Sequence, residues 1–175
     1  MKIYSFAPIA DINCKLLILG TMPGVMSLKK QQYYGFERNA FWRIIYNLFD
    51  SEPDEDYNMR RKFLLRHGIA LWDVLKACER EGSSDSDIKN PEANDFEGLH
   101  KMYPGIRHVC FNGGSAAKLY QRYVAKKGTM VNNGITGNMD FHQLPSTSPA
   151  YTLPFDKKLE QWQLVRKLLE ESTSV

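Results

Sequence analysis

Four short apolar segments, each followed by a stretch with helical spacing, constrain the fold of this chain more than any other feature. The apolar segments span residues 15–19, 69–75, 108–111 and 139–144, and each has the length of a buried strand. Helical patterns lie over residues 39–49, 56–67, 93–102, 115–127 and 155–171. This alternation predicts an α/β fold with three layers, α/β/α, around a central, mostly parallel four-stranded sheet.

Ligands of such sheets bind where the strands end, because the loops at the carboxyl ends of parallel strands share one edge. Four loops qualify, over residues 20–38, 73–91, 112–115 and 145–150. Residues 82–91 are rich in Ser, Asp and Asn, so we expect a long loop there without regular structure.

The length of the chain fits a single domain spanning residues 1–175. The sequence is 43% hydrophobic and has a net charge of only +3, which excludes a disordered chain. No apolar run approaches the roughly 20 residues that cross a bilayer, and the first residues lack the apolar core of a signal peptide. We therefore expect a cytoplasmic protein without membrane contact, associated with the nucleoid if the source is bacterial.

The cysteines and histidines favour neither a disulfide framework nor a metal site. Cys14, Cys78 and Cys110 are widely spaced and odd in number. The four histidines show no spacing typical of metal ligands. We expect no metal and no cofactor.

Basic residues are segregated along the chain. No Asp or Glu occurs over residues 98–139, and residues 12–49 carry five Lys or Arg against the single acid Glu37. Such segregation is typical of a surface for a polyanion such as DNA, although chance clustering on solvated faces also produces it. The candidate DNA-binding residues in these two blocks are Lys29, Lys30, Lys118 and Arg122.

The loop after the first strand contains two candidate regions. Gly20-Thr-Met-Pro-Gly24 lacks the ending of a phosphate-binding loop, so a tight turn or a close backbone approach to a ligand explains it better. The paired Tyr33 and Tyr34 follow Lys29 and Lys30, a pattern that suits a base stacked on a ring with cations at its phosphates. The alternative is that both rings pack into the core.

The loop after the fourth strand reads Leu144-Pro-Ser-Thr-Ser-Pro-Ala150. Its hydroxyl groups suit a phosphate, although an ordinary hydroxyl-rich turn has the same composition. Gly113 and Gly114, which precede a helix, are compatible with anion binding or with simple loop closure.

Four motifs in this order resemble the uracil-DNA glycosylase superfamily, over residues 15–151. They are Gly20-Thr-Met-Pro-Gly24, Tyr34 followed by Asn39-Ala-Phe-Trp42, Gly68-Ile-Ala-Leu-Trp-Asp-Val74, and Leu144 to Pro149. The combination is most similar to the hypoxanthine-DNA glycosylase (DNA-deoxyinosine glycosylase) branch.

The sequence departs from the superfamily pattern at two positions. Met22 occupies the place of a water-orienting Asn or Asp, and Leu144 occupies the place of a His. Met can neither orient a water molecule nor accept a proton, so the chemistry of the uracil-specific enzymes does not carry over intact. The resemblance to the hypoxanthine branch instead implies that Asn39 is the catalytic residue and that Asp73 reads the base.

The resemblance implies a monofunctional enzyme that flips a deaminated base, most simply hypoxanthine, out of DNA and hydrolyses its N-glycosidic bond. Damaged DNA is then the partner, and enzymes that process abasic sites act downstream. The expected substrate-binding residues are Gly20, Met22, Pro23, Tyr34, Asp73, Ser146 and Ser148.

Other interpretations of the sequence stay open. His142 is a candidate proton donor to the departing base, although a single His near a strand end is more often structural. Uracil or xanthine are alternative substrates. Loss of the usual polar residue at Met22 is compatible with an inactive DNA-binding module, and a small-ligand protein unrelated to DNA is the remaining alternative.

Overall fold

The computed structural model describes residues 1–125 and 139–174. The strands in this part of the chain are β1 (Lys2–Tyr4), β2 (Leu16–Gly20), β3 (Ile69–Asp73), β4 (Leu75–Glu79), β5 (Lys89–Ala93), β6 (His108–Asn112) and β7 (Asp140–Leu144). Four of them form a parallel sheet in the spatial order β3-β2-β6-β7. The predicted parallel four-stranded sheet is confirmed.

The α-helices of the described residues are α1 (Val25–Lys30), α2 (Phe41–Leu48), α3 (Tyr57–Arg66), α4 (Phe96–Met102), α5 (Gly114–Tyr123) and α6 (Phe155–Thr173). Every residue of β2 and β3 is buried, because helices cover the parallel sheet on both faces. The three-layer prediction is therefore confirmed as well. Among the described helices, none is both long and apolar enough to cross a membrane.

A second sheet was not predicted. It is antiparallel, with β4 in the middle between β1 and β5. The predicted loop over residues 82–91 therefore contains the start of β5, which reads Lys-Asn-Pro-Glu-Ala and is mostly exposed. An edge strand with polar residues on both faces has no apolar alternation, so its sequence carries no strand signal.

The helix boundaries also differ from the predictions. The helix predicted from residue 93 begins at Phe96, after Asp95, whose side chain accepts a hydrogen bond from the backbone N–H of Gly98. The six-residue α1 lies inside a predicted loop and has no acidic residue in its first turn to mark its start. The helix predicted over residues 115–127 ends at Tyr123, and Lys126 and Lys127 lie outside the described residues.

The parallel strands are in register at the edge where their loops emerge. Gly20 lies opposite Asp73 across β2 and β3, and Asn112 lies opposite Leu144 across β6 and β7. The loops after all four strands consequently start at a common edge, as the sequence predicted.

Candidate active site

Gly20 and Asp73, the last residues of neighbouring strands, form the floor of the candidate site. A Cβ atom built on Gly20 would lie 2.6 Å from Asp73 Oδ1 and 2.9 Å from the hydroxyl of Tyr34. Real Cβ atoms do not approach so closely, so no other residue fits here without moving both groups. Glycine at this position is thus required by the close approach of a carboxyl and a phenol.

The Asp73 carboxyl is buried, with only 5% of the residue exposed. Its Oδ2 atom has no hydrogen-bond partner among the described residues. Burial, reinforced by the charge of Asp85 and opposed by that of Arg80, raises the pKa of Asp73 to about 7. Near neutral pH this carboxyl is available either to accept a hydrogen bond when ionised or to donate one when protonated.

The hydroxyl of Tyr34 lies next to Gly20. Its ring stacks on Phe41 with centroids 4.0 Å apart, and its hydroxyl accepts a hydrogen bond from Asn112 Nδ2 at 3.0 Å. Burial raises the pKa of the phenol, which therefore stays protonated. One ring face is thus covered by the core, so stacking of a base on Tyr34, expected from the sequence, requires the opposite face. Tyr33, the other member of the pair, is buried and supports the core alternative for its own ring.

Asn112 and Thr147 join the loops after the third and fourth strands of the parallel sheet, and sequence reasoning missed both as site residues. Asn112 Nδ2 donates to Thr147 Oγ1 at 2.9 Å, and Asn112 Oδ1 accepts from the backbone N–H of Thr147 at 2.9 Å. Both residues are buried. The available signal was a polar residue at the end of an otherwise apolar strand.

Asn39 lies beside Thr147. The backbone N–H of the next residue, Ala40, donates to the Thr147 carbonyl at 3.0 Å. Ala40 occupies the N-cap position of α2, and Asn39 Oδ1 accepts a hydrogen bond from the backbone N–H of Phe41 at 2.9 Å. One lone pair of Oδ1 is therefore engaged, while the amide nitrogen of Asn39 has no partner among the described residues.

Two side chains of the loop that follows Gly20 are buried. Met22 is only 6% exposed and belongs to the hydrophobic core, and Pro23 is buried as well. The Pro23 carbonyl accepts a hydrogen bond from the guanidinium of Arg80. Since both side chains are buried, the predicted role of Met22 and Pro23 in substrate binding concerns their backbone groups, and it stays a prediction.

Ser146 and Ser148 are half-buried, and each hydroxyl accepts a backbone hydrogen bond within the loop, from Ser148 N and Ala150 N, both at 3.2 Å. Two side chains of α6 hold the same loop from below. Lys158 Nζ donates to the Ser148 carbonyl and Trp162 Nε1 donates to the Pro145 carbonyl, both at 2.9 Å.

Comparisons with known proteins show the family of this chain. The family model described as the uracil DNA glycosylase superfamily matches residues 7–170, nearly the whole chain. The chain belongs to the uracil DNA glycosylase superfamily.

Two curated relatives are named hypoxanthine DNA glycosylase. The one from Methanosarcina acetivorans is 45% identical over 65% of this chain and 72% of its own length. The one from Methanosarcina barkeri is 43% identical over the same shares. A solution NMR structure of a Methanosarcina acetivorans protein, provisionally described as a uracil DNA glycosylase, has 37% identity and a TM-score of 0.79, and covers 97% of this chain and 99% of that one.

The superfamily acts on DNA, so the position of the basic candidates matters. Lys29 and Lys30 end α1, in the loop that follows Gly20, and Lys30 Nζ lies 3.9 Å from Glu37. Lys118 and Arg122 are exposed on α5, which begins at the edge of the site and runs away from it. At 1.5 Å per residue, Arg122 is about 6 Å farther from that edge than Lys118.

His142, the candidate proton donor, lies in the parallel sheet and not in one of the loops of the site. It lies within β7, two residues before the strand ends, with its ring 5.7 Å from that of His108. Burial and the neighbouring His108 lower the pKa of His142, which keeps the ring neutral at physiological pH. Within the described ranges, no group of three or more His, Cys, Asp or Glu is arranged to hold a metal ion.

Proposed function

We propose that this member of the uracil DNA glycosylase superfamily releases hypoxanthine from DNA by hydrolysis. The observation that carries the proposal is the buried Asp73 carboxyl with an unpartnered oxygen, set beside Gly20 and Tyr34. An unpartnered buried carboxyl is costly for a protein unless a ligand completes its hydrogen bonds. The names of the curated relatives support the same substrate.

Hypoxanthine matches this carboxyl better than the other deaminated bases do. Its N1–H donor is flanked by one carbonyl and one C–H, so a carboxylate oxygen can accept from N1 while the second oxygen meets no repulsive acceptor. In uracil and xanthine the corresponding N–H lies between two carbonyls. Adenine has no N–H at this position. Guanine has one, but its three hydrogen bonds to cytosine make it harder to flip than hypoxanthine.

Asn39 is the residue proposed to position the attacking water at the sugar C1′. An amide is too weak a base to remove a proton early, so the C1′–N9 bond must be largely broken and the sugar cation-like when water attacks. The bonding electrons leave with the base, which takes up a proton, and the water loses a proton as its oxygen bonds to C1′. The products are free hypoxanthine and an abasic site, the substrate of downstream enzymes.

The remaining candidates handle the DNA. Tyr34 stacks on the flipped base through its open face, and Ser146 and Ser148 bind phosphates beside the lesion. Lys29, Lys30, Lys118 and Arg122 contribute sequence-independent attraction to the backbone, which offsets the few kcal/mol needed for flipping.

The test is a panel of labelled duplexes that carry hypoxanthine, uracil, xanthine or guanine at one position. Each is incubated with the protein and then with alkali, which cuts at abasic sites. We expect strand cleavage on the hypoxanthine duplex and at least tenfold less on the others. Faster release of uracil or xanthine would contradict the proposed substrate, and binding without cleavage of any duplex would mean an inactive DNA-binding module.

A further inference from the structure

Arg80 is a buried charge that the proposed mechanism does not use. It directly follows β4, and its side chain is entirely inaccessible to solvent. Its Nε and Nη1 atoms have no hydrogen-bond partner among the described residues. Because removing a guanidinium from water costs several kcal/mol, its place in the fold needs an explanation beyond packing.

The contacts of Arg80 lead to the first loop of the site. One guanidinium nitrogen donates to the Pro23 carbonyl, and Nη1 lies 3.7 Å from Asp85 Oδ1. The same Asp85 oxygen accepts a hydrogen bond from Thr21 Oγ1 at 2.8 Å. Arg80 and Asp85 therefore hydrogen-bond to the first loop at Pro23 and Thr21, on either side of Met22.

A third contact comes from the same connection between β4 and β5. Ser83 Oγ accepts from the backbone N–H of Val25 at 2.9 Å, and it would lie 3.1 Å from a Cβ on Gly24. The antiparallel sheet that the sequence did not predict is thus the support of the first loop. It contacts the loop through the side chains of residues 80–85 and through the backbone N–H of Leu75, which donates to the Thr21 carbonyl at 3.2 Å.

This support also acts on Asp73 through its charges. Asp85 raises the pKa of Asp73 and Arg80 lowers it. The other titratable groups coupled to Asp73 are the phenols of Tyr33, Tyr34 and Tyr57, which are neutral near pH 7 because burial raises the pKa of each. Among the described residues, Arg80 and Asp85 are therefore the charged groups that act on the Asp73 carboxyl.

We propose that Arg80 and Asp85 are a pair of positioning residues that hold the first loop against Asp73 and set the charge that Asp73 presents to the flipped base. This inference rests on the proposed function, in which the ionised carboxyl accepts a hydrogen bond from hypoxanthine N1. The two residues act on Asp73 with opposite sign. A purely mechanical support would not have that property.

Because Arg80 and Asp85 carry opposite charges, their substitutions should shift the midpoint of Asp73 ionisation in opposite directions. Asp85→Asn removes a negative charge but keeps an acceptor for Thr21, so the midpoint of Asp73 ionisation should fall by about one pH unit, a shift that a single neighbouring charge produces. Arg80→Gln removes the positive charge but keeps a donor for Pro23, so the midpoint should rise. Arg80→Lys keeps the charge and should leave the midpoint close to that of the wild type. Glu79→Gln, an exposed change of one charge in the same hairpin, is the matched control and should leave it unchanged.

Two readouts keep this inference separate from the proposed function. Carbon-13 NMR of labelled Asp carboxyls, with Asp73→Asn for assignment, follows the ionisation of Asp73 without any reaction. Single-turnover release of hypoxanthine as a function of pH should shift by the same amount and in the same direction. Midpoints that move the same way in Asp85→Asn and Arg80→Gln, or no farther than in the control, would overturn the inference.

The remaining outcomes are equally decisive. If the wild-type protein releases no hypoxanthine but the Asp73 midpoint shifts as expected in the variants, the proposed substrate is refuted and the role of Arg80 and Asp85 is not. If Arg80→Gln does not fold, Asp85→Asn and Arg80→Lys still decide: a midpoint for Asp85→Asn that equals the wild-type value, or a large shift for Arg80→Lys, refutes the electrostatic role.

Discussion

The two loops that flank the site are held in different ways. The first loop, residues 20–25, rests on the ion pair of Arg80 and Asp85, and an unpartnered carboxyl, Asp73, lies beside it. The second loop, residues 145–150, is held by direct hydrogen bonds with the side chains of Asn112, Lys158 and Trp162, none of which is a carboxylate.

In the proposed mechanism this difference separates two tasks. Base recognition would need a group whose hydrogen bonds are incomplete until the ligand arrives, and Asp73 has an unpartnered oxygen. Binding of the water and the phosphates would need a rigid support, and the backbone of the second loop is hydrogen-bonded to buried side chains. We therefore expect pH to act mainly through the first loop.

Substitution of Asn39 should have the largest effect. Asn39 adjoins the second loop through the Ala40 to Thr147 hydrogen bond, so the proposed mechanism places the attacking water on this side of the site. Asn39→Ser retains an acceptor for the Phe41 N–H but is too short to hold the same water, and we expect single-turnover release to fall about 100-fold or more. Thermal unfolding should stay within a few degrees of the wild type.

Asn39→Asp is the matched control for this prediction, because Asp also accepts from the Phe41 N–H but adds a charge and removes the amide donor. It should fold normally and show an altered rate. Near-normal cleavage by Asn39→Ser would assign Asn39 a structural role alone and leave the catalytic residue to be found elsewhere, beginning with Asp73.

Asp73→Asn should have the next largest effect, and it tests the part of the site beside the first loop. Loss of a hydrogen bond to a charged acceptor should reduce hypoxanthine release by about tenfold to a hundredfold. The same substitution should change the pH dependence of stability. The pKa of Asp73 is raised from 3.8 to about 7 in the folded protein, so its contribution to stability is full below pH 4 and is lost as the pH rises through 7.

Urea unfolding at pH 5 and pH 8 measures that contribution. The free energy of unfolding of Asp73→Asn, relative to the wild type, should be higher at pH 8 than at pH 5. An equal difference at the two pH values would show that Asp73 is not the group that titrates, and the contrast between the loops would lose its electrostatic basis.

Asn112→Ala should weaken the hydrogen bonds that hold the second loop. It removes the donor to Tyr34 and to Thr147 and leaves the buried Thr147 N–H without a partner, so we expect a loss of about 1–3 kcal/mol in unfolding free energy. Unlike the effect of Asp73→Asn, this loss should be the same at pH 5 and pH 8. A pH-dependent loss would mean that the second loop is coupled to the ionisation of Asp73.

Charge reversal on α5 should have the smallest effect on catalysis, because it acts on DNA binding. The start of α5 adjoins the second loop, where a Cβ on Gly113 would lie 3.0 Å from Ser146. Lys118→Glu should weaken binding to damaged and undamaged duplexes alike and lower the salt slope by about one phosphate contact. Arg122→Glu, one turn farther from the site, should act in the same direction but less. Equal effects of both would place the DNA along the whole helix rather than at its start.

The sequence by itself determined the parallel sheet, the edge that holds the site and the family. Those features are written locally: buried strands are short apolar runs, and the loops that follow carry Gly, Pro, Ser and aromatic residues at recognisable spacing. Glycine at position 20 also belongs to this group, although its reason, the close approach of Asp73 and Tyr34, became visible only in three dimensions.

Only the tertiary structure decided how the site is supported. Asn112 and Tyr34 are 78 residues apart in the chain, and Asn112 and Thr147 are 35 apart. No local sequence pattern therefore predicts the hydrogen bonds between them. The strand over Lys89–Ala93 is stabilised by pairing with β4 rather than by its own apolar alternation. Burial of Arg80 and the raised pKa of Asp73 follow from the same long-range packing, because desolvation depends on everything that surrounds a charge and not on its neighbours in the chain.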